Sequence, residues 1–305
     1  MILKGPKSSF RPAWWLPGPH LQTLWQPLFR RYPKPKVRRE RLATPDGDFL
    51  DLDWYGNSSR PLVLLLHGLS GSSKSAYIRG MQTALARSGF DSVCLNFRGC
   101  SGEPNHTSRG YHSGETSDLD WVMTHIRQCR PQVPLMAVGY SLGGNMLLKW
   151  LGEKGDGHGL LAAAAVSVPL RLDLCANRLD RGVSKLYRNQ LLRELKDYIR
   201  FKRHALTQLG YVDEAKTLEQ LGDLEAIQAF WEYDGRVVAG LYGYKDAADY
   251  YAHSSASGFL GGIRCKTLIV HALDDPFMTP QVVEVEVQPE PCVQIEMSPS
   301  GGHVG

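Results

Sequence analysis

The sequence predicts an α/β fold: a mostly parallel sheet with helices on both faces and a helical insertion near its end. Three observations carry this. Continuous apolar runs such as Leu62 to Leu66 alternate with segments of helical spacing, the pattern of strands buried on both faces. The stretch Gly139-Tyr140-Ser141-Leu142-Gly143 lies between an apolar run, Val133 to Val138, and a helix-like segment, Gly144 to Glu153. From about Leu170 to Tyr251 the alternation stops and a charged, mostly helical pattern takes over.

Taken in order, residues 1–36 are rich in Pro, Trp and Arg without a clear period, and an extended arm lying on the domain is expected. Residues 38 to 55 alternate around Asp46-Gly47, the signature of a hairpin. Leu62 to Leu66 reads as a strand, Ser75 to Ser88 as a helix and Asp91 to Asn96 as the next strand. Thr116 or Ser117 can cap a helix that runs to about Cys129. Strand 134–139, helix 144–153 and strand Leu161 to Val168 follow. After the insertion the sheet resumes at Thr267 to His271 and at Cys292 to Met297. The expected division is an arm (1–36), a core in two pieces (37–169 and 252–305) and a helical cap (170–251). A closing helix normally packs on the last strand of such a sheet. None follows His303-Val304-Gly305, so a truncated chain is expected.

At 305 residues the chain can bury one large core, and a net charge of +4 is too weak a bias to argue for nucleic acid. Six scattered cysteines form no Cys-x-x-Cys pair and show no zinc spacing with histidine, so no metal is expected. They read as thiols of a reducing compartment. No apolar signal-peptide core lies in Met1 to Gly18, and Leu160 to Leu170 is too short to span a bilayer. A cytoplasmic location is expected.

The strand–turn–helix around Ser141 is the context of a nucleophile elbow. Glycines at 139 and 143 allow the tight turn and put the Ser141 hydroxyl at its tip. A serine hydroxyl needs a base to take its proton. His303 is the base candidate, in a glycine-rich loop just after the last strand. Asp274 and Asp275 follow the strand at 267–271. Asp275 is favoured as the acid, and Asp274 is read as a loop or capping residue. The oxyanion donors expected are the backbone N–H groups of Leu142, next after the nucleophile, and of Leu69 in His67-Gly68-Leu69. Each of the three follows an expected strand, so all are expected in loops at the carboxyl ends of parallel strands, where α/β sheets build their sites.

Other residues have plainer readings. His67 is expected to brace the oxyanion loop, while His20 reads equally as a site residue or as a packed residue of the arm. His112-Ser113-Gly114-Glu115 is expected to position a loop and a helix start, Arg98 to form a salt bridge, and Cys100 to be structural. Nine Lys or Arg lie between Arg178 and Arg203, against three acids. A weak contact with anionic lipid is the functional reading of this basic cap, and a solvated helix face is preferred. Leu186, Tyr187, Leu191, Leu192, Leu195, Tyr198 and Ile199 suit a cap over an apolar pocket.

With these residues in view, the chain resembles the YheT-like branch of the α/β-hydrolases, which includes abhydrolase-domain esterases and lipases. The resemblance rests on Pro19-His20-Leu21-Gln22-Thr23, His67 to Ser73, Phe97 to Asn105, Tyr111 to Thr116, Gly139 to Asn145, His271 to Met278 and Gly301 to Gly305. It implies an α/β-hydrolase fold with Ser141, Asp275 and His303 as a triad, acting on carboxylic esters, acylglycerols or phospholipids. The family continues past Gly-Gly-His-Val-Gly into a closing helix; here the chain departs from it.

The expected function is a serine hydrolase that cleaves short- to medium-chain acyl esters or lipids through an acyl-enzyme on Ser141. No cofactor and no nucleic-acid partner are implied; the partner is a small-molecule ester or lipid. The rivals are an acyltransferase using the same triad and a non-catalytic binding protein on this fold. Dehalogenase chemistry is disfavoured, because Ser rather than Asp stands at the elbow.

Overall fold

The computed structural model describes residues 8–32, 34–56, 60–284 and 292–305. Residues 1–7 and 33 of the expected arm lie outside the described residues. Among the described residues eight strands form one sheet in the order β1-β2-β4-β3-β5-β6-β7-β8. They are β1 (Arg38–Ala43), β2 (Phe49–Tyr55), β3 (Leu62–Leu66), β4 (Asp91–Asn96), β5 (Leu135–Tyr140), β6 (Ala162–Val166), β7 (Lys266–Ala272) and β8 (Val293–Ser298). β1 and β2 are the expected hairpin, and β2 pairs antiparallel with β4. All pairings from β4 through β8 are parallel.

Strand β3 shows why the sheet is covered on both faces. All five of its residues are buried. Leu62, Leu64 and Leu66 join one apolar cluster with Leu119, Val122 and Met146, while Val63 and Leu65 join another with Ile78 and Tyr140. Alternate side chains of one strand thus feed two cores. The chain steps from β3 to β4 on one side and returns to β5 on the other, so the connections diverge at the carboxyl end of β3. Such a switch point opens a crevice for a ligand.

The helices α2 (Ala76–Arg87), α3 (Ser117–Cys129) and α4 (Leu142–Lys154) lie close to their expected places. The arm differs from expectation: it contains a helix, α1 (Pro19–Phe29), rather than being extended throughout. Pro19 stands in its first turn, where a missing N–H costs nothing.

Residues 172–254 are helical, as their pattern indicates: α5 (Leu172–Leu179), α6 (Ser184–Gln208), α7 (Val212–Glu219), α8 (Phe230–Tyr233), α9 (Ala239–Tyr242) and α10 (Ala247–Ser254). A π-helical turn, Asp234–Val238, joins α8 to α9. These helices share a core of their own, to which α6 gives Leu192, Leu195, Ile199 and Leu206, one face at helical spacing. Asn145 on α4 ties this layer to the sheet. Its amide donates to the carbonyls of Ser113 and Ser254 and accepts from the N–H of Ala256.

The basic stretch of the cap is less exposed than its composition suggests. Lys202 is fully buried, with its ammonium on the carbonyl of Arg109. Burial lowers its pKa to about 7. Arg188 pairs with Asp180, and Arg200 with Asp197 and Glu225. Among the described residues no helix is long and apolar enough to cross a membrane.

Candidate active site

Ser141 sits between β5 and α4 with φ 49° and ψ −120°. A non-glycine residue in this region is strained, and the neighbours hold it there. Its N–H donates to the carbonyl of Val166, and its own carbonyl accepts from Asn145. The crossing leaves no room for side chains. A Cβ on Gly139 would stand 2.5 Å from the Gly143 carbonyl oxygen, and one on Gly143 would stand 2.4 Å from that of His67. These two glycines let the helix start hard against the sheet.

His303 Nε2 lies 3.0 Å from Ser141 Oγ, and His303 Nδ1 lies 2.7 Å from Asp275 Oδ2. The other oxygen of Asp275 accepts the N–H of Phe277 at 2.8 Å. Both carboxylate oxygens are therefore engaged, on a side chain only 1% exposed. Asp274 does something different. Its Oδ1 accepts the N–H groups of Gly301 and Gly302 at 2.9 and 3.0 Å. It fastens the loop that carries His303, as a capping acid would.

The base is also held from below and above. The N–H of His303 donates to the Thr23 hydroxyl, which itself donates to the carbonyl of Pro19. The Phe277 ring stacks on the imidazole with centroids 4.2 Å apart and planes 7° from parallel. The N–H of Val304 donates to the Ser167 hydroxyl.

Leu142 is the first residue of α4, and Leu69 lies in the loop after β3. Among the described residues neither N–H has an acceptor within the chain. Donors left open beside Ser141 at a helix start suit an anionic oxygen. The loop that carries Leu69 is pinned at several points. The N–H of Gly68 donates to the Tyr77 hydroxyl, and that of Ser70 to the Tyr111 hydroxyl. His67 is wholly buried, with Nδ1 2.8 Å from the Gly68 carbonyl and Nε2 accepting the N–H of Phe97. Burial lowers its pKa to about 4. It is a neutral brace, as the sequence indicated.

The remaining sequence candidates take supporting positions. Arg98 forms a buried ion pair with Asp118 and also reaches Asp48 and Asp46. His112 accepts the N–H of Gly114, and Glu115 accepts that of Ser117 at the start of α3. His20 meets the Tyr187 hydroxyl at 3.0 Å. Desolvation pushes the Cys100 thiol up to about 12, which disfavours the thiolate. Among the described residues no group of three or more His, Cys, Asp or Glu could hold a metal ion.

Sequence reasoning missed Thr23, Tyr77, Phe277 and Asn145. Thr23, Asn145 and Phe277 had a signal in the strings Pro19 to Thr23, Gly139 to Asn145 and His271 to Met278. Tyr77 had none, because an aromatic residue near a site reads as ordinary packing.

A cavity of about 950 Å³ opens at Ser141 and His303. It runs under the cap past Leu172, Leu195, Ile199, Phe230 and Val238. Tyr187, Leu191, Leu195, Tyr198 and Ile199 line it, as their spacing suggested, whereas Leu186 is 69% exposed. Asp234 also borders the cavity, and its carboxylate accepts from the Tyr251 hydroxyl.

A parallel sheet with a strained serine at the turn after β5, facing a His–Asp pair from the loops after β8 and β7, defines an α/β-hydrolase. The α/β-hydrolase-fold family matches residues 61–305, and the chain belongs to that family. It is 40% identical over 290 residues to YheT of Escherichia coli K12, a protein whose name carries a provisional esterase designation; the match covers 94% of this chain and 83% of that protein. It is 32% identical over 308 residues to the mouse phospholipase ABHD3, covering 97% of this chain and 73% of that one. A solved structure of the Pyrococcus furiosus esterase Pf2001 shares the fold, with a TM-score of 0.58 at 14% identity over 100% of this chain and 91% of that chain.

Proposed function

We propose that this protein is a serine hydrolase that cleaves carboxylic esters of short- to medium-chain acyl groups or lipids. The observation that carries the proposal is the continuous hydrogen-bonded line from Asp275 through His303 to Ser141, at the mouth of a largely apolar cavity. The esterase and phospholipase names of its relatives support the substrate class.

The geometry supports the following course. With Nδ1–H donating to Asp275, His303 presents a bare Nε2 to the Ser141 hydroxyl. Ser141 Oγ attacks the ester carbonyl carbon, and its proton passes to Nε2. The carbonyl oxygen becomes an oxyanion and takes hydrogen bonds from the N–H groups of Leu69 and Leu142. Such donors each contribute on the order of 3 kcal/mol. When the C–O bond breaks, Nε2 returns the proton to the leaving alcohol and the acyl group stays on Ser141. Water then gives a proton to Nε2 and attacks the acyl carbon, which frees the acid and restores Ser141. Asp275 stabilises the imidazolium at each stage without taking its proton. The acyl chain lies under the cap.

We place the protein in the cytoplasm on the strength of six unpaired cysteines. The test of function is a series of p-nitrophenyl esters from acetate to palmitate on wild type and S141A. Turnover by wild type alone is expected, with a chain-length optimum set by the cavity. Equal turnover by S141A, or none by either folded protein, overturns the reading.

A further inference from the structure

Helix α1 is built inside out. It buries the polar side chains of Gln22 and Thr23 against the domain. Its opposite face carries Leu21, Leu24 and Leu28, and Phe29 ends the helix; all are exposed, the last two by about three-fifths of their area at 60% and 61%. The spacing of Leu21, Leu24 and Leu28 places them on one stripe. Trp25 packs between Trp15 and Phe29, and Trp14, just ahead of the helix, is 91% exposed. A contiguous apolar face of this kind on a surface helix marks a contact.

The charges that flank this helix along the sequence have one sign. Arg30, Arg31, Lys34 and Lys36 follow the helix and are exposed, and the sequence contains no Asp or Glu before Glu40. Exposed tryptophans, an apolar helical stripe and a basic flank without acids match the interface of a bilayer with anionic headgroups.

The face is also continuous with the cavity. Leu24, Pro27, Leu28, Arg30 and Arg31 border its outer end. The hydrogen bond between His20 and Tyr187 ties α1 to the first turns of α6, where Val183 and Leu186 are exposed as well.

We propose that α1 and its basic flank dock the protein on the surface of an anionic phospholipid bilayer, with the cavity mouth turned towards the lipid. The contact runs through the arm rather than the basic stretch of the cap, which is partly buried and paired. An amphiphile leaving the bilayer would meet Leu24 and Leu28 first and then Ser141. Because Thr23 of the same helix holds His303, the docked helix and the candidate base keep a fixed relation.

The experiment is co-sedimentation of the full chain with vesicles of phosphatidylcholine alone and with phosphatidylglycerol added, at low and high salt. Wild type and the double variant W14S/F29S are compared, with circular dichroism as the folding control. Neither residue borders the cavity, so turnover of a soluble short-chain ester is expected to stay unchanged in the variant. Wild type is expected on the anionic vesicles, with binding weakened by salt or by omission of phosphatidylglycerol. The variant should lose about tenfold or more of its partitioning, through the apolar area removed. No vesicle binding by wild type, or equal binding by the variant, overturns the proposal. So does a wild-type dimer that W14S/F29S dissociates, because a second copy would then cover the face. Binding is read without catalysis, so it stands or falls separately from the ester-hydrolase reading.

Discussion

The Thr23 hydroxyl accepts the backbone N–H of His303 at 2.9 Å and donates to the carbonyl of Pro19 at 2.7 Å. One side chain thereby links the first helix of the chain to its last loop and fixes the height of the imidazole over Ser141. T23V keeps the shape but removes the acceptor. It is expected to lower kcat by about 10- to 100-fold through misplacement of the ring, with T23S close to wild type. Steady-state kinetics of both variants checks this, and a fall in KM alone would contradict it.

The adjacent acids Asp274 and Asp275 are expected to separate in mutation. D275N removes the partner that holds the tautomer and should cost about 10⁴-fold in kcat. D274N leaves the triad intact and loosens only the Gly301–Gly302 turn, so its loss should be far smaller and accompanied by a lower Tm. Kinetics and thermal melts of the two variants distinguish these outcomes.

Arg98 tests the frame around the site. Its guanidinium is 1% exposed and lies between Asp118, Asp48 and Asp46. R98M leaves buried carboxylates without their cation and should destabilise the fold by about 3–5 kcal/mol. Urea unfolding measures this. A cost below about 1 kcal/mol would show that water reaches these acids.

Asp234 gives a pH dependence. Burial raises its carboxyl from the usual 3.8 to about 7, and the residue lines the cavity. Between those two values the folded protein holds a proton that the unfolded chain releases. Its contribution to stability is therefore present at low pH and is lost as pH rises towards 7. D234N stays neutral and can still accept from Tyr251. Its stability relative to wild type should grow from pH 5 to pH 8 in parallel urea titrations. A constant difference would mean that Asp234 is ionised throughout.

The sheet and the candidate triad were legible in the sequence for a physical reason. Strands such as Leu62–Leu66, buried on both faces, read as unbroken apolar runs, and the loops that follow them must carry the polar residues. Position then separated Asp275 from Asp274. Helix α1 was not legible, because Pro19 and Pro27 fall within its eleven residues and read as breakers, although Leu21, Leu24 and Leu28 keep helical spacing. The burial of Lys202 within the basic stretch of the cap was not legible either. A lysine in a charged run looks solvated, and only the tertiary fold supplies the Arg109 carbonyl that lets it be buried. The π turn at Asp234–Val238 has no counterpart in residue spacing.

The central claim is that Ser141 is a nucleophile activated by His303. The direct measurement is the intact mass, with peptide mapping, after reaction with a fluorophosphonate probe, on wild type, S141A and H303A. One adduct on Ser141 is expected in wild type, none in S141A, and labelling slowed by orders of magnitude in H303A. An adduct elsewhere, or labelling of wild type no faster than of H303A, would contradict it.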